Sequence, residues 1–290
     1  MTAHDSAPAK DSKPQTGSIP RNESNARKDC VYLMYHELEL PGRKLCQSEP
    51  GYVRYILPLE TFRTQMSWLK DQGWRGLNVS EALHFSAPSN SSQPCVCLTF
   101  DDGCETDLIA AAPVLREHGF HATFYVTAGF LCVPGYLNEQ QLRDLDRMGF
   151  EIGCHSMTHA YLSDISHEEL KREIVDAKNK IEQILGHPIE HFSCPGGRYD
   201  QRALDMARRA GFKTVANSDF HANSAATNVY ELGRIAIMRD LQISRFSAIC
   251  RGTGLWKKRL QYRTRRGIQR IFGNRAYDRL RAALLGEHLW

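Results

Sequence analysis

The sequence predicts an α/β fold built on parallel strands. Apolar runs of strand length and amphipathic runs of helix length alternate along nearly all of residues 30–240, the pattern of strands joined by helical crossovers. Polar residues able to bind ligands recur just after several of those strands, where such folds carry their chemistry. A hydrophobic content of 42% supplies a real core, and 290 residues suit one barrel of about 250 residues with tails.

The elements follow in order. CVYLMYH (30–36) is a short buried strand ending in His36, and 59–73 places Phe62, Met66 and Leu69 on one helical face closed by Gly73. RGLNV reads as a strand, with Ser80 as the expected cap of a short helix, and 86–94 is loop by composition. CVCLTF (95–100) is the clearest buried strand, and the helix after it should kink near Pro113. HATFYVT (121–127) and FEIGCH (150–155) are strands around a helix capped by Asn138 with Gln141. Ser166 with Glu169 opens a long helix to Leu185. HFSC (191–194), a helix capped by Asp200, FKTVAN and LGRIAI complete the series. No internal repeat is present.

Charge and cysteine content narrow the function classes. The formal charge of +4 is uneven: residues 251–290 hold eleven Lys/Arg against Asp278 and Glu287, a formal +9 that leaves −5 for the rest. Nine cysteines without CxxC spacing read as small buried hydrophobes of a reduced protein. The first 28 residues are polar, read as disordered, and lack the apolar core of a signal peptide. No stretch approaches the roughly 18 apolar residues that span a bilayer. The expected location is cytoplasmic, with a peripheral place on the inner membrane surface as the extension. The expected organisation is a tail at 1–28, a catalytic domain at 29–250 and a basic amphipathic helical tail at 251–290.

The residues at strand ends carry the chemistry. His36 ends the first strand, Asp101 and Asp102 follow CVCLTF, His155 ends FEIGCH with His159 after it, and Pro195 and two glycines follow HFSC. A His pair four apart is weak alone in a chain of twelve histidines, and Ser156 stands where a zincin needs glutamate. Adjacent carboxylates after a buried strand are costly unless paired. A cation held by one of them and both histidines relieves that cost. One Asp with two His suits zinc or a similar divalent ion.

LTFDDG (98–103), HSMTH (155–159) and SCPGG (193–197) resemble the first three motifs of the NodB-homology polysaccharide deacetylases, carbohydrate esterase family 4. MYHEL (34–38) resembles the opening strand motif of one branch of that family. The resemblance covers about residues 30–240. It implies a distorted (β/α)7-type barrel, with Asp102, His155 and His159 as metal ligands and Asp101 as catalytic base. Gly196, just after Pro195, matches the family's oxyanion donor. The ion implied is Zn2+, with Co2+ or Ni2+ as alternatives, and the reaction is removal of an N-acyl group from an amino sugar in a glycan or a lipid- or nucleotide-linked precursor. A divalent ion brings the pKa of a water toward neutrality, and an ionised Asp101 takes its proton.

The pattern breaks in three places. Ser193 stands where many members have an arginine that orients the base, so that support is missing unless Arg198 replaces it. NSDF (217–220) matches the fourth motif only loosely, through Asp219 and Phe220. No histidine follows LGRIAI before His288, although the family's fifth motif normally carries one as general acid; the resemblance of MYHEL to the MYH branch implies His36 in that role, with His221 as the alternative. Cys104, Cys154 and Cys194 neighbour the motifs and read as fillers rather than thiolate ligands. The tail at 256–290 suits an anionic membrane surface or packing on the barrel; nucleic acid is not expected. The competing function class is a non-catalytic carbohydrate-binding or scaffold protein that keeps the fold.

Overall fold

A computed structural model describes residues 29–84 and 93–255, with Met1, Arg259, Leu260 and Thr264. The expected tails, 1–28 and 256–290, lie almost wholly outside the described residues. No helix among the described residues is long and apolar enough to cross a membrane.

The strands are β1 (Val31–Tyr35), β4 (Arg75–Leu77), β5 (Cys95–Asp102), β6 (Thr123–Val126), β7 (Glu151–Cys154), β8 (His191–Ser193), β9 (Thr214–Ala216) and β10 (Ile235–Ala236), with β2 (Leu38–Glu39) and β3 (Leu57–Pro58) forming a separate short pair. All pairings between these strands are parallel, in the order β10-β1-β5-β6-β7-β8-β9, and β4 pairs with the start of β5. The sheet curls back on itself. Leu232 bridges Ala216 of β9, and three residues later Ile235 pairs with Leu33 of β1. This is the distorted parallel barrel that the alternation and the resemblance predict.

The helices are α1 (Pro50–Val53), α2 (Leu59–Asp71), α3 (Val79–His84), α4 (Ala112–His118), α5 (Glu139–Arg147), α6 (His167–Lys171), α7 (Ala177–Leu185), α8 (Gln201–Arg209) and α9 (Ile243–Cys250). The capping boxes at Asn138/Gln141 and Ser166/Glu169 form as expected, and Asp200 caps α8. Ser80 does not cap α3. Asn78 does, exchanging hydrogen bonds with Glu81 at 2.8 and 3.1 Å. The irregularity expected near Pro113 is a π turn, Asp107–Ala111, that runs straight into α4. A second π turn, Arg172–Asp176, joins α6 to α7, so the long helix expected to Leu185 is continuous but has one wide turn.

β5 is buried along all eight residues, as a central parallel strand must be with both faces covered. Its side chains alternate between two apolar clusters. Val96, Leu98 and Phe100 face the helices in the large cluster, where Phe100 stacks 5.2 Å from Tyr35 and 4.8 Å from Phe124. Cys95 and Cys97 face the barrel interior with Tyr32, Tyr125 and Leu232. Continuing that period places Thr99 and Asp101 inside the barrel.

Candidate active site

Asp101 meets Arg234 inside the barrel. The guanidinium forks onto the carboxylate, Nη1 to Oδ1 and Nη2 to Oδ2, both at 2.7 Å. Arg234 is fully buried, yet each of its five N–H groups has an acceptor. The other three are Thr99 Oγ1 at 3.2 Å, Ser193 Oγ at 2.6 Å and the Asn217 carbonyl at 3.3 Å. Such a pair is strong only when every donor is matched. Burial alone would raise the Asp101 carboxyl, but Arg234 and then His155 outweigh it and hold the group well below the usual carboxylate range. Asp101 is therefore ionised at any working pH.

This corrects the expectation drawn from Ser193. Asp101 does not lack an arginine; the arginine comes from the segment leading into β10, and Ser193 accepts one of its hydrogen bonds. Arg198 does not take that place. It packs over the Tyr161 ring at 4.1 Å and faces Asp164 at 3.8 Å.

Asp102 turns the other way. It is the last residue of β5, at a φ of +80°, and its carboxylate faces two histidines. Oδ1 lies 3.6 Å from His155 Nε2 and 3.5 Å from His159 Nε2. Tyr52, from α1, donates to the other oxygen at 2.6 Å. His155 Nδ1 lies 3.0 Å from the Ser193 carbonyl. A carbonyl only accepts, so the proton sits on Nδ1 and the Nε2 lone pair faces Asp102. Burial pushes His155 down to about 4, against the pull of Asp101, so this ring is neutral, as a ligand must be.

These residues fit a divalent cation. Asp102 Oδ1 is buried without a hydrogen-bond partner, which is costly unless something positive meets it. The ligand atoms of Asp102, His155 and His159 lie within 4.8 Å of one another. Bonds of about 2.0–2.2 Å in a tetrahedral site separate neighbouring ligand atoms by about 3.3–3.6 Å, close to the two distances observed. The donor set is two imidazoles and a carboxylate, without a thiol. Cys154 and Cys194 are buried in the large apolar cluster, and burial pushes the Cys154 thiol up to about 12. Cys104 lies instead near Glu37 and Cys46.

His36 ends β1 with its ring 5.1 Å from Tyr55 and 6.3 Å from Tyr52, and its Nδ1 is buried without a partner. Burial lowers its pKa first, and the charges that act on it are those of Asp102, Asp101, Arg234 and His159. His221 has different neighbours. It packs beside Gly233, and the charges acting on it are Arg259, Asp219 and Glu231. Asp219 and Phe220 belong to that same segment, and Asp219 takes no part in the Asp101 fork. Pro195 is buried and Gly196 exposed at the end of β8, with Gly196 at a φ of +58°. A Cβ on Gly196 would lie 2.7 Å from Tyr161 Cε1. No described acceptor takes the Gly196 N–H.

Five functional side chains predicted from sequence thus converge: His36, Asp101, Asp102, His155 and His159. Sequence reasoning missed Arg234 and Tyr52. Arg234 left a signal, a lone cation in an apolar strand (LGRIAI) that must bury a counter-charge. Tyr52 left none.

The polysaccharide deacetylase family matches residues 89–215. This stretch carries a polysaccharide deacetylase domain. Among relatives of the domain, the YxkH protein of Bacillus subtilis is 28% identical over 217 residues, 74% of each chain. The peptidoglycan-N-acetylglucosamine deacetylase of Bacillus cereus is 33% identical over 132 residues, 45% of this chain and 59% of that one. The structure of the Streptococcus pyogenes deacetylase PplD in complex with acetate superposes with a TM-score of 0.66 at 24% identity, over 77% of this chain and 99% of that one. The deacetylase domain therefore shares its barrel with PplD.

Proposed function

We propose that this protein is a metal-dependent N-deacetylase acting on an amino sugar within a glycan or a glycan precursor. One observation carries the reading. A buried carboxylate oxygen of Asp102 without a partner faces the Nε2 atoms of two imidazoles, beside a second carboxylate that Arg234 keeps ionised. The Bacillus cereus relative is named for removing acetyl from N-acetylglucosamine, which supports the substrate class.

A divalent cation held by Asp102, His155 and His159 would acidify a water and offset charge growing on the substrate carbonyl oxygen. The chain's own residues supply the rest. Asp101 takes the water's proton. Each carboxylate oxygen has a second lone pair beyond the Arg234 fork, and Oδ2 lies 3.7 Å from His155 Nε2, on the side of the ligands. The unpaired Gly196 N–H donates to the developing oxyanion. His36, in its protonated form, gives its proton to the leaving amine, without which the tetrahedral adduct returns to substrate, and takes a proton back from solvent afterwards. The non-catalytic reading drew its weight from Ser193 in place of an arginine and from the missing late histidine; Arg234 answers the first, and the second rests on His36 serving as the acid.

The test is acetate release from N-acetylhexosamine oligosaccharides and from lipid- and nucleotide-linked N-acetylamino sugars. Metal-stripped protein is compared with zinc- and cobalt-loaded protein and with Asp101→Asn. Release that needs the ion and disappears in Asp101→Asn is expected. No release from any of these, by protein that binds the ion, would remove the substrate class.

A further inference from the structure

Between the two ligand histidines the chain makes an unusual turn. Ser156 and His159 have φ of +68° and +64°, a left-handed backbone that is strained for a non-glycine residue and persists only where the surroundings fix it. Part of the fixing is local. The His159 N–H donates to Ser156 Oγ at 3.0 Å, and the Ser156 and Met157 carbonyls accept from Ala128 and Gly129 at 3.0 and 2.7 Å.

The rest comes from one buried acid. Glu173 is 4% exposed. Its Oε2 accepts from the backbone N–H groups of Met157 at 3.0 Å and Thr158 at 2.8 Å, and its Oε1 accepts from the Thr158 hydroxyl at 2.6 Å. These are the two residues at the centre of HSMTH. Glu173 itself stands in the π turn Arg172–Asp176 of an otherwise α-helical run. A π turn is rare, and within helices it is frequent at functional sites.

We infer that Glu173 is a positioning residue for the ion, setting the spacing of His155 and His159 by accepting three hydrogen bonds from the turn between them. It touches neither the ion's ligand atoms nor the substrate. The inference rests on the proposed metal-dependent function and adds a residue to it. A glutamine at 173 could keep all three bonds, its N–H2 donating to the Thr158 hydroxyl; a methionine keeps the length of the side chain without an oxygen, so all three are lost.

The test is the affinity of the full chain for Zn2+ and Co2+, read by competition with a chromophoric chelator, together with the visible absorption of the bound Co2+. Glu173→Met is expected to weaken both ions about 10–100-fold, as loss of a partner that orients a ligand does, and to shift the Co2+ bands. Ser166→Ala removes the cap of the same helix and lowers stability; its ion affinity is expected within twofold of wild type. If Glu173→Met does not fold, Thr158→Val, which removes only the bond to Oε1, is expected to weaken binding severalfold. Affinities within twofold of wild type, in Glu173→Met or in Thr158→Val when that variant decides, would overturn the inference while leaving the function standing. Wild type that binds neither ion would overturn the function, and this role with it.

Discussion

Arg234 grips Asp101 through both carboxylate oxygens, each at 2.7 Å, from the segment just before β10, 133 residues further along the chain. The relationship closes the barrel and sets the base at once. Arg234 lies between Leu232, which bridges β9, and Ile235, which pairs with β1.

Removing either partner leaves a buried charge alone. Arg234→Ala is expected to lose about 3–5 kcal/mol of stability, read from denaturant unfolding. Arg234→Lys keeps the charge but not the fork, and is expected to recover part of the stability and little of the activity. An Arg234→Ala protein as stable as wild type would contradict the pairing.

Asp101→Asn is expected to lower kcat by about 10²–10⁴-fold, the range of a lost general base. Asp102→Asn is expected to abolish tight Zn2+ binding. Calorimetry of both variants separates the roles, because Asp101→Asn should still take up the ion.

His36 and His221 are told apart by their surroundings. His36→Gln is expected to reduce kcat by about 10²-fold or more, since the leaving amine loses its proton source. His221→Gln, away from the acids of the site, is expected to stay within a few-fold of wild type. The reverse result would move the general acid.

Tyr52→Phe removes only the hydroxyl that orients Asp102. Hydrogen bonds to charged groups contribute about 1.5–3 kcal/mol, so Zn2+ affinity is expected to fall about 10–100-fold with the fold intact. Competition titration measures it.

Acid stability should depend on Glu151, at the start of β7. Burial works to raise its pKa, but the bond and charge of His191, with Ser80 and Thr123, outweigh it and bring it below the ordinary 4.5. A depressed carboxylate stabilises the fold fully above its unfolded value, and that contribution is lost as pH falls below about 4.5 through the folded value. Glu151→Gln is expected to be less stable at pH 7 and to lose less on acidification than wild type. Equal acid slopes in the two proteins would sink this account.

The strands, most helices and three caps were legible in the sequence because they rest on local periodicity and on side chains that reach their own backbone. Asn78 shows the limit. Asn78 and Ser80 are both good caps by composition, and the choice fell to the residue with Glu81 three positions on. The two π turns left no signal in the apolar spacing.

The sequence by itself determined the parallel α/β class and the five residues that meet at the strand ends, because a strand's period and its terminus are properties of a short segment. Only the tertiary structure decided what stands behind those residues. Arg234 reaches Asp101 because the sheet curls until β10 lies beside β1. Tyr52 reaches Asp102 because α1 lies over the end of β5. Glu173 reaches the histidine turn because a π turn lies beneath it. Each contact joins positions 15 to 133 residues apart, and spacing along the chain carries no information about which distant polar group will satisfy a buried charge.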